Sequence, residues 1–308
     1  DNPAWCWYDL VTNERYGLGE YIDSALVDKW AMYTIGKYCD EFVPDGFGGT
    51  EPRFTCNLYL QTREEAYNVI NAMASIFRGL SFWAGGGMTA THDAPADAIA
   101  LFNASNVIDG KFSYSGSSKK ARHTVVLVTW NDPSKEYRQE IEYVDDQEGI
   151  ARYGVVQTEV VAVGCTSRGQ AYRVGKWLLF TERMETEIVS FKTGLEGAHL
   201  YPGAVINTQD YARSGKRLGG RIISSTTTAV TIDAEIEIES GKSYTISVVL
   251  PDGSIESSLL TNAVGMATVL TPTTAFTTAP QPFSVWVVAA SDLSTEIWRV
   301  VSLAETDK

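Results

Sequence analysis

Histidine is scarce in this chain. There are three in 308 residues, His92, His123 and His199, and no two are neighbours. The four cysteines, Cys6, Cys39, Cys56 and Cys165, include no C-x-x-C pair. Zinc and iron–sulfur centres need ligands at such short spacings, so no metal centre or cofactor is assigned. Four scattered cysteines read instead as buried thiols. No apolar run reaches the roughly 18 residues that would cross a bilayer, so no membrane span is expected. The start carries no secretory-signal pattern. It opens on Asp1 without a methionine, which leads us to expect a processed chain or a piece of a longer one. Positive charge is short as well. Lys and Arg number 25 against 38 Asp and Glu, giving a net charge of -13. Nucleic-acid binding needs a basic stripe. The basic clusters here are short: Lys119, Lys120 and Arg122, then Arg213, Lys216, Arg217 and Arg221. Both lie in Gly/Ser-rich contexts and read as solvated loops. The acidic balance favours solubility and repels DNA, so no specific nucleic-acid partner is expected.

What is present suits a folded chain: 44% hydrophobic and 20% charged residues. The length implies two or three domains. In the first third, residues 20–42 read as a helix with Ile22, Leu26, Trp30 and Tyr33 on one face, broken by Pro44 and the glycines after it. Residues 53–61 alternate as a strand, with Phe54, Cys56, Leu58 and Leu60 on one side. Thr62 and Glu65 form a T-x-x-E capping box. Behind it Ala66, Val69, Ile70, Met73, Ala74 and Phe77 make one apolar stripe at helical period. A strand over 80–84 and the turn at Gly85, Gly86 and Gly87 then predict a hairpin. In the middle third, 124–130 and 137–144 read as a second hairpin, its residues alternating Tyr137, Gln139, Ile141, Tyr143 against Arg138, Glu140, Glu142. A strand over 155–163 follows. Ser167 and Gln170 form a second capping box, opening a helix with Ala171, Val174, Leu178 and Leu179 inward and Arg168, Arg173 and Lys176 on its polar face. Residues 185–191 leave as a strand. From about Gly197 the chain is rich in Ser, Thr and Val. Seven short strands are expected there: 220–224, 229–233, 244–250, 255–260, 267–270, 284–289 and 296–303. Pro251, Asp252 and Gly253 turn one hairpin. The expected class is α+β: an α+β domain over 1–112, a β-rich domain with one capped helix over 113–196, and a small all-β barrel or sandwich over 197–308.

The search for chemistry assigns no catalytic, cofactor-binding or metal residue. Gly85 to Gly87 are followed by Met88 and Thr89, not the Lys and Ser or Thr of a phosphate loop. Cys165 precedes a helix start, where the dipole lowers a thiol pKa, but no histidine is near it in sequence. Asp145, Asp146 and Glu148, and Asp93 and Asp97 beside His92, are paired carboxylates of the kind that hydrolyse glycosides or hold cations. Neither group has calcium-loop spacing, and exposed loop is the preferred reading. The eight tryptophans (5, 7, 30, 83, 130, 177, 286 and 298) are scattered, which favours core packing over a sugar groove.

A resemblance supplies what chemistry does not. Asn2-Pro3-Ala4-Trp5, Tyr8-Asp9-Leu10 and Arg15-Tyr16-Gly17-Leu18-Gly19 resemble the hub region of the lambda-type host-specificity protein J family of phage tail tips. So do Cys39-Asp40-Glu41 with Arg53-Phe54, Phe112-Ser113-Tyr114 and Arg152-Tyr153-Gly154. The strongest stretch is Gly164-Cys165-Thr166-Ser167-Arg168-Gly169-Gln170, with Ala171 and Arg173 after it. Glu182, Glu185, Pro202-Gly203 and Gly219-Gly220-Arg221 complete the series, which spans most of residues 1–221. The resemblance implies a non-enzymatic structural subunit of the tail-tip or baseplate hub, located in the virion and assembled in the bacterial host cytoplasm. It implies a homotrimer that caps the tail tube and touches tape-measure and smaller tip proteins. Contact with a host receptor would run through parts outside this chain. A receptor- or glycan-binding module is the alternative, and a cell-wall hydrolase using Asp145, Asp146 or Asp93 the third reading. With the net charge, the hub reading predicts an acidic lumen past which DNA slides. Gly17, Gly19, the Ser167 cap and the Pro202-Gly203 turn would serve it mechanically.

Overall fold

A computed structural model describes residues 1–60, 65–84, 86–116, 122–293 and 295–305. Helix α1 (Pro3–Thr12) starts at Asn2, whose side chain accepts from the Ala4 N–H. Helix α2 (Lys29–Asp40) starts at Asp28, whose carboxylate accepts from the N–H groups of Trp30 and Ala31. Strands β1 (Phe42–Pro44) and β2 (Thr50–Pro52) form a short ladder. Helix α3 (Ala66–Ile76) leads into the hairpin β3 (Gly79–Ala84) and β4 (Gly87–His92). Then come β5 (Ala100–Asn103), β6 (Ser113–Gly116), β7 (Val125–Asp132), β8 (Arg138–Asp145), α4 (Gln147–Tyr153) and β9 (Gln157–Val161). Helix α5 (Arg168–Met184), β10 (Glu187–Ser190), β11 (Val205–Gln209) and α6 (Tyr211–Ser214) follow. The last seven strands are β12 (Gly219–Ser225), β13 (Val230–Ile238), β14 (Tyr244–Val249), β15 (Ile255–Leu259), β16 (Gly265–Leu270), β17 (Val285–Ala290) and β18 (Glu296–Arg299). The class is α+β.

Two expected elements of the first third differ. The helix expected over 20–42 begins only at Lys29, because the Asp28 cap fixes its start; Ser24–Leu26 make a separate 3-10 turn. Its expected face is wrong too. Ile22 is buried, but Leu26, Trp30 and Tyr33 are exposed, and α2 buries Met32, Ile35 and Cys39 instead. No strand forms over 53–60. Its N–H groups go to unrelated partners: Phe54 to the Cys39 carbonyl, Cys56 to that of Asp1, Asn57 to that of Gly164. Phe54 and Cys56 are buried while Leu58 and Leu60 are exposed, so alternation here marked a tethered irregular segment. The expected Thr62 box lies outside the described residues, as do Gly85 in the hairpin turn and Lys119 and Lys120; Glu65 caps α3 without a side-chain bond.

The chain divides into two compact units, residues 1–94 with 115–188, and residues 95–114 with 189–308. The borders expected at 112/113 and 196/197 differ from these crossings, which fall at 94/95, 114/115 and 188/189. In the first unit, α1, α2, α3 and the β3–β4 hairpin close over Trp7, Val11, Met32, Ile35 and Phe77. The Trp7 indole N–H donates to Ser81 Oγ at 3.0 Å, which satisfies its one buried polar atom. The same unit holds a three-stranded sheet of order β8-β7-β9, antiparallel then parallel. Helix α5 covers one face of it, packing Ala171 and Leu179 with Val126, Val128 and Val144.

In the second unit all seven expected strands form, but not as one barrel or sandwich. Six make a sheet of order β15-β14-β17-β12-β13-β16 around Ile222, Ile232, Ile246, Leu270 and Trp286, and an antiparallel bridge between Leu260 and Pro272 joins the ends of its two outer strands. The seventh, β18, pairs antiparallel with β11, which pairs parallel with β5. The Pro251-Asp252-Gly253 turn joins β14 to β15 as expected; Gly253 takes φ +86 and donates to the Leu250 carbonyl. Pro202-Gly203 turns the chain into β11 with Gly203 at φ +90.

Candidate functional site

Most of the chemically suggestive side chains have structural partners among the described residues. Cys165 is buried, and its Sγ donates to the Ser167 carbonyl at 3.2 Å. Burial pushes its thiol up to about 11, against the lowering expected from the helix start. Cys39 and Cys56 are buried and pushed up to about 12 for the same first reason. His123 Nδ1 lies 3.0 Å from Glu182, and His92 stacks near Tyr38, 5.0 Å between centroids. Asp146 and Glu148 both accept from Arg183, at 3.0 and 2.8 Å. Asp145 accepts from Gln147. Asp93 accepts from the Trp177 indole at 3.0 Å, and Asp97 belongs to the other unit. Among the described residues no three His, Cys, Asp or Glu are grouped to hold a metal.

The tryptophan and basic-cluster readings need correction. Trp7, Trp130 and Trp286 are core, and Trp5, Trp177 and Trp298 are half-buried, but Trp30 and Trp83 stand exposed. The second basic cluster is not a solvated loop. Arg221 lies in β12 and pairs with Glu196 at 2.6 Å; Arg217 pairs with Asp233 at 2.5 Å, Arg213 with Glu296 at 2.9 Å, and Lys216 with Glu239. Nor does Arg173 lie on a polar face. It pairs with Glu51 at 2.5 Å and donates to the Arg53 carbonyl at 2.9 Å.

The site that the geometry builds is a surface. Period-two alternation sends Val126, Val128 and Trp130 of β7 toward α5 and turns Leu127 and Thr129 away from it. The register then stacks Tyr143, Leu127 and Glu159 in one cross-strand row and Ile141, Thr129 and Val161 in the next. Tyr143, Ile141 and Val161 are 57%, 62% and 66% exposed. In β8 Ile141 and Tyr143 therefore face out, while Glu142 faces in beside Val144. The reason is Glu142, 8% exposed, which accepts both Nε and Nη2 of Arg168 at 2.7 and 3.3 Å. The alternation was visible in the sequence; the partner that reverses its sense lies 26 residues away. An apolar patch left uncovered on a well-paired sheet is an assembly surface more readily than a catalytic one.

Comparison with known proteins places the chain in a family. Residues 65–224 match the family described as "Putative phage tail protein". The chain is 36% identical over 310 residues to Tip attachment protein J of Escherichia phage SECphi27 and 33% identical over 313 residues to Tip attachment protein J of Escherichia phage SECphi4. The chain belongs to the phage tail-tip protein J family. Both alignments take in 100% of it but 26% and 27% of the relatives, so it spans about a quarter of their length. The residue blocks that resemble protein J are packing devices. Side chains at Gly17 and Gly19 would stand 2.1 Å from the Leu10 carbonyl oxygen and 2.4 Å from that of Thr12. Gly164, at φ +61, passes the Cys56 thiol. Ser167 caps α5, accepting from the Gln170 N–H at 3.3 Å. The Gln170 side chain, expected to complete the box, instead accepts from the Thr55 N–H at 2.9 Å and donates to its carbonyl at 3.1 Å. The strongest block of this J-family chain thus fastens α5 to the irregular 53–60 segment.

Proposed function

We propose that this chain is a structural, non-enzymatic subunit of the tail-tip hub, part of the virion tail, assembled in the host cytoplasm at the distal end of the tail tube. The observation that carries this reading is the outward patch of Tyr143, Ile141 and Val161, spread over two adjacent cross-strand rows, on a sheet whose other face is closed by α5. Burying such a patch against a neighbouring subunit removes apolar area from water at roughly 25 cal/mol per Å². In the tail this patch would meet another copy of the chain in a homotrimer or a smaller tip or tape-measure protein. Asp146 and Glu148 are held by Arg183, Asp93 and Asp145 accept from neutral donors, and Cys39, Cys56 and Cys165 are buried, which supports a mechanical role. Host attachment would be carried by other parts of the parent protein.

The test is a phage whose parent protein carries Ile141→Glu and Tyr143→Glu. Both side chains are exposed in the isolated chain, so its thermal midpoint should hold. Assembled tails and infectious particles should fall by at least tenfold. Normal tail yield with these changes would sink the interface reading. Binding of the purified chain on a glycan array would favour the receptor-binding alternative.

A further inference from the structure

We propose that the cavity of about 460 Å³ bordered by Arg53, Arg78 and Arg173 in the first unit is a binding site for a small oxyanion, phosphate or carboxylate in kind. The argument is independent of the hub reading. Aromatic rings fix two of these guanidinium groups, those of Arg78 and Arg53, by their faces. Arg78 lies 5.2 Å from the Phe54 ring centroid and 4.9 Å from that of Trp177, and Arg53 lies 4.1 Å from that of Tyr38. Arg173 is engaged at both Nη atoms and Arg53 at Nη2, so Arg78, whose side chain makes a single hydrogen bond among the described residues, offers the donor edge that a planar or tetrahedral anion would take. The Nε atoms of all three are buried without a hydrogen-bond partner. Glu41 balances Arg53 at 2.6 Å and Glu51 balances Arg173. Arg78 donates from Nη2 to a main-chain oxygen, that of Arg173, at 3.2 Å. The nearest carboxylate acting on it is Asp93, already engaged by the Trp177 indole. Lys176 on the cavity wall adds a charge whose Nζ donates to the Asp145 carbonyl. The two carboxylates in the wall, Asp145 and Asp146, are occupied by Gln147 and Arg183.

Two further observations single out Arg78. Burial, with repulsion from Arg173 and Arg53 and against the pull of Tyr38 and Asp93, brings its pKa down to about 10. The charge of a bound anion would offset both. Arg78 also follows the last turn of α3 at φ +56, the left-handed position usually given to glycine. An arginine held there persists because its surroundings over-determine it, a pattern found at ligand sites.

The test is calorimetric titration of the 308-residue chain with sodium phosphate and, separately, sodium acetate, at matched chloride concentration. Saturable binding is expected for phosphate. Acetate binding as well would mean that carboxylates are the shared ligand; phosphate alone would mean a phosphate-bearing one. Arg78→Lys should bind about tenfold or more weakly, as loss of a charge-assisted fork does. Arg78→Gly suits the backbone and removes the guanidinium, so it should fold and lose binding. In the unsubstituted chain the arginine Nε–H resonances should move on adding phosphate and stay still on adding chloride, a readout that needs no variant to fold. No saturable binding, or binding that Arg78→Gly leaves intact, would overturn the site.

Discussion

At the scale of single residues, burial is the effect that wins. Cys39, Cys56 and Cys165 all hold their protons well past the ordinary thiol value, to about 12, 12 and 11. In the unfolded chain these thiols ionise near ~8.5. The folded pKa values are raised, so their contribution is fully present below the unfolded value and is lost as pH rises through the folded ones. Urea midpoints should therefore fall steadily from a pH of about 8.5 upward. Cys39→Ala should flatten part of that fall, and an identical slope in the variant would refute the assignment. Burial of cysteine was legible from scatter for Cys39, Cys56 and Cys165, because cysteine with no partner in sequence is an apolar residue by default, but Cys6 is only half-buried. The use of Gln170 was not. Its spacing from Ser167 matched a cap, but its amide bonds to Thr55, 115 residues away, and nothing local announces such a partner.

Elements were legible where their signal is local. The stripe of α3, the two hairpins and the seven late strands rest on spacings of a few residues, and all of them form. The segment 53–60 failed because its hydrogen bonds go to three distant places rather than to a ladder. Close packing of element on element is equally invisible in sequence. In α5, Gly175 sits against the sheet, and a Cβ there would stand 2.7 Å from Cγ2 of Val144 and 3.1 Å from Cγ2 of Val128. Alanine should favour a helix interior by about 1 kcal/mol over glycine. Here overpacking, typically about 1–3 kcal/mol, opposes and outweighs that gain. Gly175→Ala should thus lower the urea midpoint, and adding Val144→Ala should recover part of the loss. A stabilised single variant would show that α5 lifts off the sheet without penalty.

For the whole molecule, sequence order misled because pairing is not sequential. β5 joins β11 across about a hundred residues and β18 closes on the other side of β11, so residues 95–114 belong with the last third and not the first. Composition was a better guide at this scale. The net charge is -13, and each cation of the second basic cluster carries its own carboxylate: Glu296, Glu239, Asp233 and Glu196. Phosphate contacts on duplex DNA are gained by cations that release counterions, and cations already paired within the fold release few. The chain should therefore leave a duplex fragment unretarded in a gel even at low ionic strength, where electrostatic binding is strongest. That behaviour would accord with the hub proposed above. A retarded band that weakens steeply with added salt would instead reveal a basic face that these pairs do not neutralise, and would count against an acidic lumen in the assembled tip.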